Sequence, residues 1–101
     1  SAHEILQDAA STFKERHAVY GDNWRTVGRV MKALFPKGVA LTTEDDHNRF
    51  HILMLEVVKL TRYVENWSSG GHEDSQLDLS VYAAMMVQID REINSRQEGA
   101  R

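Results

Sequence analysis

Hydrophobic residues recur every three or four positions along most of this chain, which is the spacing of one face of an α-helix. The first such segment contains Ile5, Leu6, Ala9 and Phe13. Read to its end, the pattern predicts four helices, over about residues 3–19, 23–35, 44–66 and 72–95. The tail from about residue 96 is expected to be frayed, because termini that are not tied down are poorly ordered.

The breaks between the predicted helices contain residues that end or begin a helix. Gly21 is a typical stop, and Asp22 is a candidate cap for the second helix. Pro36 and Gly38 end that helix, because proline cannot continue it. Before the third helix, Thr42 and Thr43 are candidate caps with acidic residues three positions later, and the segment 68–71 (SSGG) forms a turn after it.

Short connections between four helices favour antiparallel neighbours, so we expect one all-α domain over residues 1–101, an antiparallel bundle of about four helices. The third helix is apolar on nearly every side, and a helix of that kind is buried by its own domain or by a second subunit. Its apolar residues are Phe50, Ile52, Leu53, Met54, Leu55, Val57, Val58 and Leu60. A chain of about 100 residues has little to cover such a helix, so we expect a homodimer or homotetramer.

Composition narrows the classes of function. The 101 residues include 12 basic and 15 acidic side chains, for a net charge of −3, and no cysteine. The missing cysteines exclude disulfides and thiolate metal sites. The slight acidity argues against nucleic-acid binding, which needs a basic face. No apolar run approaches the ~20 residues of a membrane span, and no leader pattern is recognisable, so we expect a cytoplasmic protein without a membrane partner.

Three charged residues interrupt the apolar third helix at steps of three: Glu56, Lys59 and Arg62. At 3.6 residues per turn they lie on one side of the helix, where they can face a shared cavity. Buried charge is costly unless it is paired, hydrogen-bonded or ligated. The structural alternative is a surface pair between Glu56 and Lys59, with Arg62 extending its charged end to water.

The fourth helix repeats this feature with carboxylates. Asp74, Asp78 and Tyr82 lie at i, i+4 and i+8, in one row on one face. Two carboxylates one turn apart repel each other unless a cation lies between them, and Mg²⁺ is commonly held by one or two carboxylates with water and phosphate. Helix capping is an alternative for Asp74, but it leaves Asp78 unexplained.

Antiparallel packing would bring Lys59 and Arg62 beside Asp74 and Asp78. Cations suit phosphate oxygens and carboxylates suit the bridging metal, so the spacing is consistent with a nucleotide polyphosphate site that uses Mg²⁺ or Mn²⁺.

His47 and His51, at i and i+4, are a weaker candidate pair for zinc, because neither an HExxH motif nor cysteine accompanies them.

Several strings together resemble a known family. They are ILQDAA at 5–10, ER at 15–16, YGDNW at 20–24, KLTR at 59–62 and HEDSQLDLSVY at 72–82. The set is similar to small phage and prophage proteins of the all-α, MazG-like nucleoside triphosphate pyrophosphohydrolases. That resemblance implies an oligomeric helical bundle and Mg²⁺-dependent hydrolysis of a nucleoside triphosphate, such as a deoxynucleotide, to the monophosphate and pyrophosphate.

The resemblance also implies roles for particular residues. Lys59 and Arg62 would bind phosphate, while Asp74 and Asp78 would hold the metal. Glu56 would be a third ligand or the general base. The pocket for base and sugar would contain Tyr20 and Asn23, with Tyr82 supporting Asp78. The third helix has Glu56 alone where the wider group has an E-x-x-E pair, which favours an alternative: a module that binds or sequesters nucleotides without turnover. A further alternative is a structural helical adaptor.

Overall fold

The computed structural model describes residues 1–99, and these are helical throughout except for short connections. The helices are α1 (Ala2–Tyr20), α2 (Asn23–Leu34), α3 (Glu44–Glu65) and α4 (Glu73–Gly99), with a 3-10 turn at Trp67–Ser69 between the last two. The all-α prediction is confirmed. The helix α4 continues through residues 96–99, where a frayed tail was expected, and the final two residues of that tail lie outside the described range.

The start of α3 is fixed by a capping box. The Thr43 hydroxyl accepts a hydrogen bond from the Asp46 N–H at 3.1 Å, and the Asp46 carboxylate accepts one from the Thr43 N–H at 3.1 Å. A second backbone N–H, that of Thr42, also donates to Asp46. These backbone hydrogen bonds, from Thr43 first and then Thr42, lower the pKa of Asp46. The predicted cap is confirmed, with Thr43 as the capping residue.

The connection between α1 and α2 is different. Asp22 occupies the N-cap position of α2, but its side chain makes no cap hydrogen bond. Its carboxylate lies 3.1 Å from Nε2 of His17 in α1 instead. Gly21 adopts φ 58° and ψ −141°, a backbone conformation that is essentially restricted to glycine. This glycine therefore sets the direction in which α1 leaves the rest of the chain.

Ion pairs at both ends show that α3 and α4 are antiparallel. Lys59, near the end of α3, pairs with Asp78 near the start of α4, with Nζ and Oδ2 2.8 Å apart. Arg49, near the start of α3, pairs at 3.7 Å with Asp90 in the second half of α4. The predicted antiparallel arrangement thus places the ends that contain Lys59 and Asp78 together.

The helices α2 and α3 are antiparallel as well. The side chain of Asn23, the first residue of α2, donates to the Thr61 hydroxyl near the end of α3 at 2.5 Å. Beyond the other end of α2, the ring of Phe35 lies 6.0 Å from that of Phe50 in the first half of α3. As a result α3 is the central helix, with α2 and α4 packed against it.

A single chain covers only part of α3. Ile52 and Val57 are its buried apolar residues, whereas Leu60 and Val64 are about half or more exposed, at 49% and 63%. The expectation that α3 is buried all round is therefore not met by its own domain. Among residues 1–99, no helix is both long and apolar enough to cross a bilayer.

The first helix stands apart from this three-helix unit. Every residue of α1 from Ala2 to Val19 is exposed, and the helix is held at its C-terminal end, where Tyr20 is half-buried. The radius of gyration is 17.6 Å, against about 13 Å for a compact domain of this length. The predicted bundle of about four helices is therefore corrected to three packed helices and one that projects.

Candidate functional site

Arg62 is the most unusual charged residue of the chain. It lies near the end of α3, where its guanidinium carbon is 4.7 Å from the centre of the Tyr20 ring. Its Nε is buried and, within residues 1–99, has no hydrogen-bond partner. A buried N–H group of a charged side chain that lacks an acceptor is costly. The arrangement is therefore suited to an acceptor that comes from a bound molecule.

Arg62 faces a cleft of about 480 Å³ between α1 and the start of α2, which is within the range of small-molecule sites. Three of the residues predicted to bind substrate, Tyr20, Asn23 and Arg62, line this cleft together. The remaining lining residues are Ala9, Thr12, Phe13, Arg16, His17, Gly21 and Trp24. Cationic and aromatic side chains thus meet in one hollow, although Lys59 and Tyr82 do not line it.

The aromatic side chains offer flat apolar surfaces in this cleft. Phe13 stacks on His17 with ring centres 5.7 Å apart. Trp24 is 58% exposed, with the guanidinium of Arg25 4.7 Å from its ring centre. Planar rings that stack with each other and with cations are also suited to stack with a nucleobase.

Lys59, which lies three residues before Arg62 on α3, forms a close ion pair with Asp78. The Nζ–Oδ2 distance is 2.8 Å, and the side chains are 15% and 48% exposed. Lys59 is therefore paired across to α4 with Asp78 rather than along α3 with Glu56. The predicted meeting of a cation from α3 with a carboxylate from α4 is present, but the pair also satisfies both charges without any ligand.

The other predicted metal or catalytic residues are more dispersed. Glu56 is half-buried, and this burial raises its pKa. Asp74 is exposed in the first turn of α4, and Tyr82 is half-buried one turn after Asp78. Within the described part of the chain, no three histidines or carboxylates are grouped closely enough to hold a metal ion. In the predicted zinc pair, a ring nitrogen of His47 lies 2.8 Å from the Thr43 carbonyl oxygen of its own helix start.

Sequence reasoning missed a hydrogen bond at the start of α4. Nδ1 of His72 lies 2.6 Å from the hydroxyl of Ser75, a residue with no exposed surface. The His72 ring contacts the edge of the Tyr20 ring, with centres 6.2 Å apart. The turn before it is held closely, because a Cβ at Gly71 would lie 2.8 Å from the Tyr63 ring. The spacing of a histidine three residues before a serine at a helix start was the available signal.

The opposite end of the bundle contains a second cavity, of about 330 Å³. Its cation, Arg49, is paired with Asp90, and much of the remaining lining is apolar, including Phe35, Phe50 and Leu53. This cavity has no unpaired buried donor among the described residues. The cleft at Arg62 is therefore the better candidate for an anionic ligand.

The fold and the site together define a small all-α protein with a cationic, aromatic cleft where α1, α2 and α3 meet. No family model, curated protein or solved structure matches the chain. The resemblance to MazG-like pyrophosphohydrolases accordingly stays a prediction from the residues that suggested it.

Proposed function

We propose that this protein binds a nucleoside triphosphate in the cleft at Arg62 and hydrolyses it, with Mg²⁺, to the monophosphate and pyrophosphate. The observation that supports the proposal best is the buried Arg62 Nε, which has no protein acceptor within residues 1–99 and lies beside the Tyr20 ring. A phosphate oxygen would supply that acceptor, and guanidinium groups suit phosphate through bidentate hydrogen bonds.

The cleft supplies what hydrolysis of a phosphoanhydride requires from a protein. The reaction depends mainly on positioning and on neutralising charge at the phosphate oxygens. Arg62 and Arg16 both line the cleft, while Trp24 provides a flat surface for a base. In this proposal the base lies against the Trp24 ring and the phosphates extend past Arg62 toward Lys59 and Asp78.

The carboxylates of α4 suit a metal that arrives with the substrate. Asp78 is half-buried beside Lys59, and Asp74 is exposed one turn earlier on the same row. Two carboxylates and several phosphate oxygens are a usual ligand set for Mg²⁺, so a preformed group of three protein ligands is not required. A metal held there would neutralise phosphate charge. Mn²⁺ takes similar oxygen ligands.

Glu56 is the proposed general base. It lies one turn before Lys59 on α3, and its pKa is raised because it is partly desolvated. A carboxylate with a raised pKa accepts a proton from water more readily than an ordinary glutamate at neutral pH. As a third metal ligand, its alternative role, Glu56 would act in the same ionised form.

The experiment that tests the proposal is pyrophosphate release from a panel of ribo- and deoxyribonucleoside triphosphates, with Mg²⁺, with Mn²⁺ and without metal. We expect metal-dependent release by the natural chain. Asp78→Asn should abolish release while circular dichroism stays unchanged, because the substitution keeps the side-chain volume and removes the charge. The matched control is Asp90→Asn, whose carboxylate pairs with Arg49 at the far end of the bundle. Unchanged release in Asp78→Asn would contradict the assignment.

A second candidate is a module that binds or sequesters nucleotides without turnover. The close Lys59–Asp78 pair favours it, because Asp78 is already neutralised there by a cation of the chain. In that case nucleotides would raise the melting temperature but no pyrophosphate would appear. For a purely structural helical adaptor, in which the ion pair only stabilises the fold, no nucleotide would shift the melting temperature.

A further inference from the structure

The exposed helix α1 has a continuous apolar row, which we call the α1 seam: Leu6, Ala9 and Phe13. Steps of three and four place these residues on one side of the helix. Leu6 is 69% exposed and Phe13 is 56% exposed. An amphipathic helix is stabilised mainly by packing of its apolar face. In its own chain this face only borders the open cleft at Arg62, which Ala9 and Phe13 line, and no residue of α1 is buried.

The contacts at the C-terminal end of α1 make this helix project from the rest of the chain. At its C-terminal end the Gly21 N–H donates to the His17 carbonyl at 2.8 Å, and His17 also lies 3.1 Å from the Asp22 carboxylate. The Tyr20 ring is held under the Arg62 guanidinium. These contacts fix the direction of α1 within two residues of α2, so the α1 seam is separated from the three-helix unit of the same chain by the open cleft at Arg62 and is not packed against it.

The exposed area of the chain is that of a protein that needs a partner. It is 7798 Å², against about 5800 Å² for a monomer of this mass. The difference is about 2000 Å² per chain, or about 4000 Å² for two chains, which lies in the range of obligate homodimers. A second copy of this chain is the partner that would cover the excess exposed area of both chains at once.

The chain also offers a concave surface for such a helix. The α2–α3 groove, of about 350 Å³, is lined mainly by apolar residues that include Val30, Leu60 and Val64. We propose that the α1 seam of one copy packs into the α2–α3 groove of a second copy, and that the exchange is reciprocal about a twofold axis. A helix ridge in an apolar groove is a recurrent mode of recognition, and a twofold arrangement satisfies both copies with the same contacts.

The first test compares two substitutions of the same chemistry on opposite faces of α1. Leu6→Glu places a charge in the α1 seam, and Ser11→Glu places one on the other side of the helix. Both positions are exposed, so neither substitution disturbs a buried side chain of one chain. By light scattering we expect the natural chain and Ser11→Glu to have at least the mass of a dimer, and Leu6→Glu to be a monomer. A monomeric natural chain, or a Leu6→Glu protein that keeps the dimer mass, would overturn the inference.

The second test identifies the contact itself. Because the chain has no cysteine, Leu6→Cys and Val64→Cys proteins can be mixed and treated with a short thiol cross-linker. We expect cross-linked heterodimers from this mixture and none from Ser11→Cys with Val64→Cys. Cross-linking within one chain in the double Leu6→Cys, Val64→Cys variant, with no link between chains, would show that α1 folds back on its own chain and would overturn the inference. Neither test depends on nucleotide binding.

Discussion

The helices α1 and α3 are similar in length, 19 and 22 residues, and differ in what covers them. In α3, Ile52, Val57 and Thr61 are buried between α2 and α4, whereas α1 has no buried residue. Both helices have apolar residues at helical spacing. Periodicity therefore determines where a helix forms and which side is apolar, while the neighbours that cover this side depend on how the connections direct each helix.

The largest expected effect on stability is the difference between removing a buried valine of α3 and an exposed valine of α1. Val57 is 2% exposed in α3 and Val19 is 55% exposed in α1. Val57→Ala should lower the free energy of unfolding by about 2–3 kcal/mol, because it removes buried methyl groups and leaves a cavity. Val19→Ala should change it by less than about 0.5 kcal/mol. Urea denaturation at one fixed protein concentration measures both, and equal losses would contradict the difference in packing.

A smaller effect is expected for the polar contact of α3 with α2. The buried Asn23 side chain donates to the Thr61 hydroxyl. Thr61→Val keeps the shape and leaves that amide without its acceptor, so we expect a loss of about 1–2 kcal/mol. The matched control is Thr26→Val, since the Thr26 hydroxyl donates only a long, exposed hydrogen bond to the Asp22 carbonyl, at 3.4 Å. If thermal denaturation finds both variants equally stable, the Asn23–Thr61 contact is not a stabilising one.

The N-terminal caps of α3 and α2 also differ. Thr43 makes a side-chain cap for α3, and Asp22 makes none for α2. Thr43→Ala should destabilise the protein by ~1 kcal/mol, the usual contribution of a capping residue. Asp22→Ala should have a smaller effect, because its contact with His17 is exposed and exposed ion pairs contribute little. A larger loss for Asp22→Ala in chemical denaturation would show that the connection at α1 is more important than the cap of α3.

The smallest effect concerns pH. Burial raises the pKa of Glu56 above its ordinary value of 4.5, so the folded state binds a proton more readily than the unfolded state. The contribution of Glu56 to stability is therefore unfavourable above its folded pKa, and it diminishes as pH falls toward 4.5. Glu56→Gln should slightly stabilise the protein at pH 7, with a difference that narrows on acidification. A variant that is less stable at pH 7, by urea denaturation across a pH series, would contradict this sign.

The features of the fold that could be predicted from sequence are local ones. The cap at Thr43 depends on residues three positions apart, and the end of α2 near Pro36 depends on the backbone of proline itself. The projection of α1 could not be predicted, because it depends on the backbone angles of Gly21 and on contacts of Tyr20 with α3 and the start of α4. An apolar row in α1 is compatible with packing in the same chain or in another.

The candidate site likewise contains contacts that residue spacing predicted and contacts that it could not predict. Spacing along α3 and α4 predicted that Lys59 would meet the carboxylates of α4, and it pairs with Asp78. The distant partnership of Asn23 with Thr61, 38 positions apart, has no signal in the spacing. The burial of Arg62 Nε likewise depends on where Tyr20 is placed by the turn at Gly21. Those three-dimensional contacts give the cleft its proposed role.

Calorimetric titration with a nucleoside triphosphate whose α,β-bridging oxygen is replaced by methylene, in the presence of Mg²⁺, tests directly whether the cleft at Arg62 binds a nucleotide. We expect saturable binding by the natural chain and at least ~10-fold weaker binding by Arg62→Gln, because a charged hydrogen bond to phosphate is lost. Arg91→Gln, on the exposed surface of α4, should bind as the natural chain does. Equal affinities for the natural chain and Arg62→Gln, or no binding by the natural chain, would contradict the claim that this cleft is a nucleotide site.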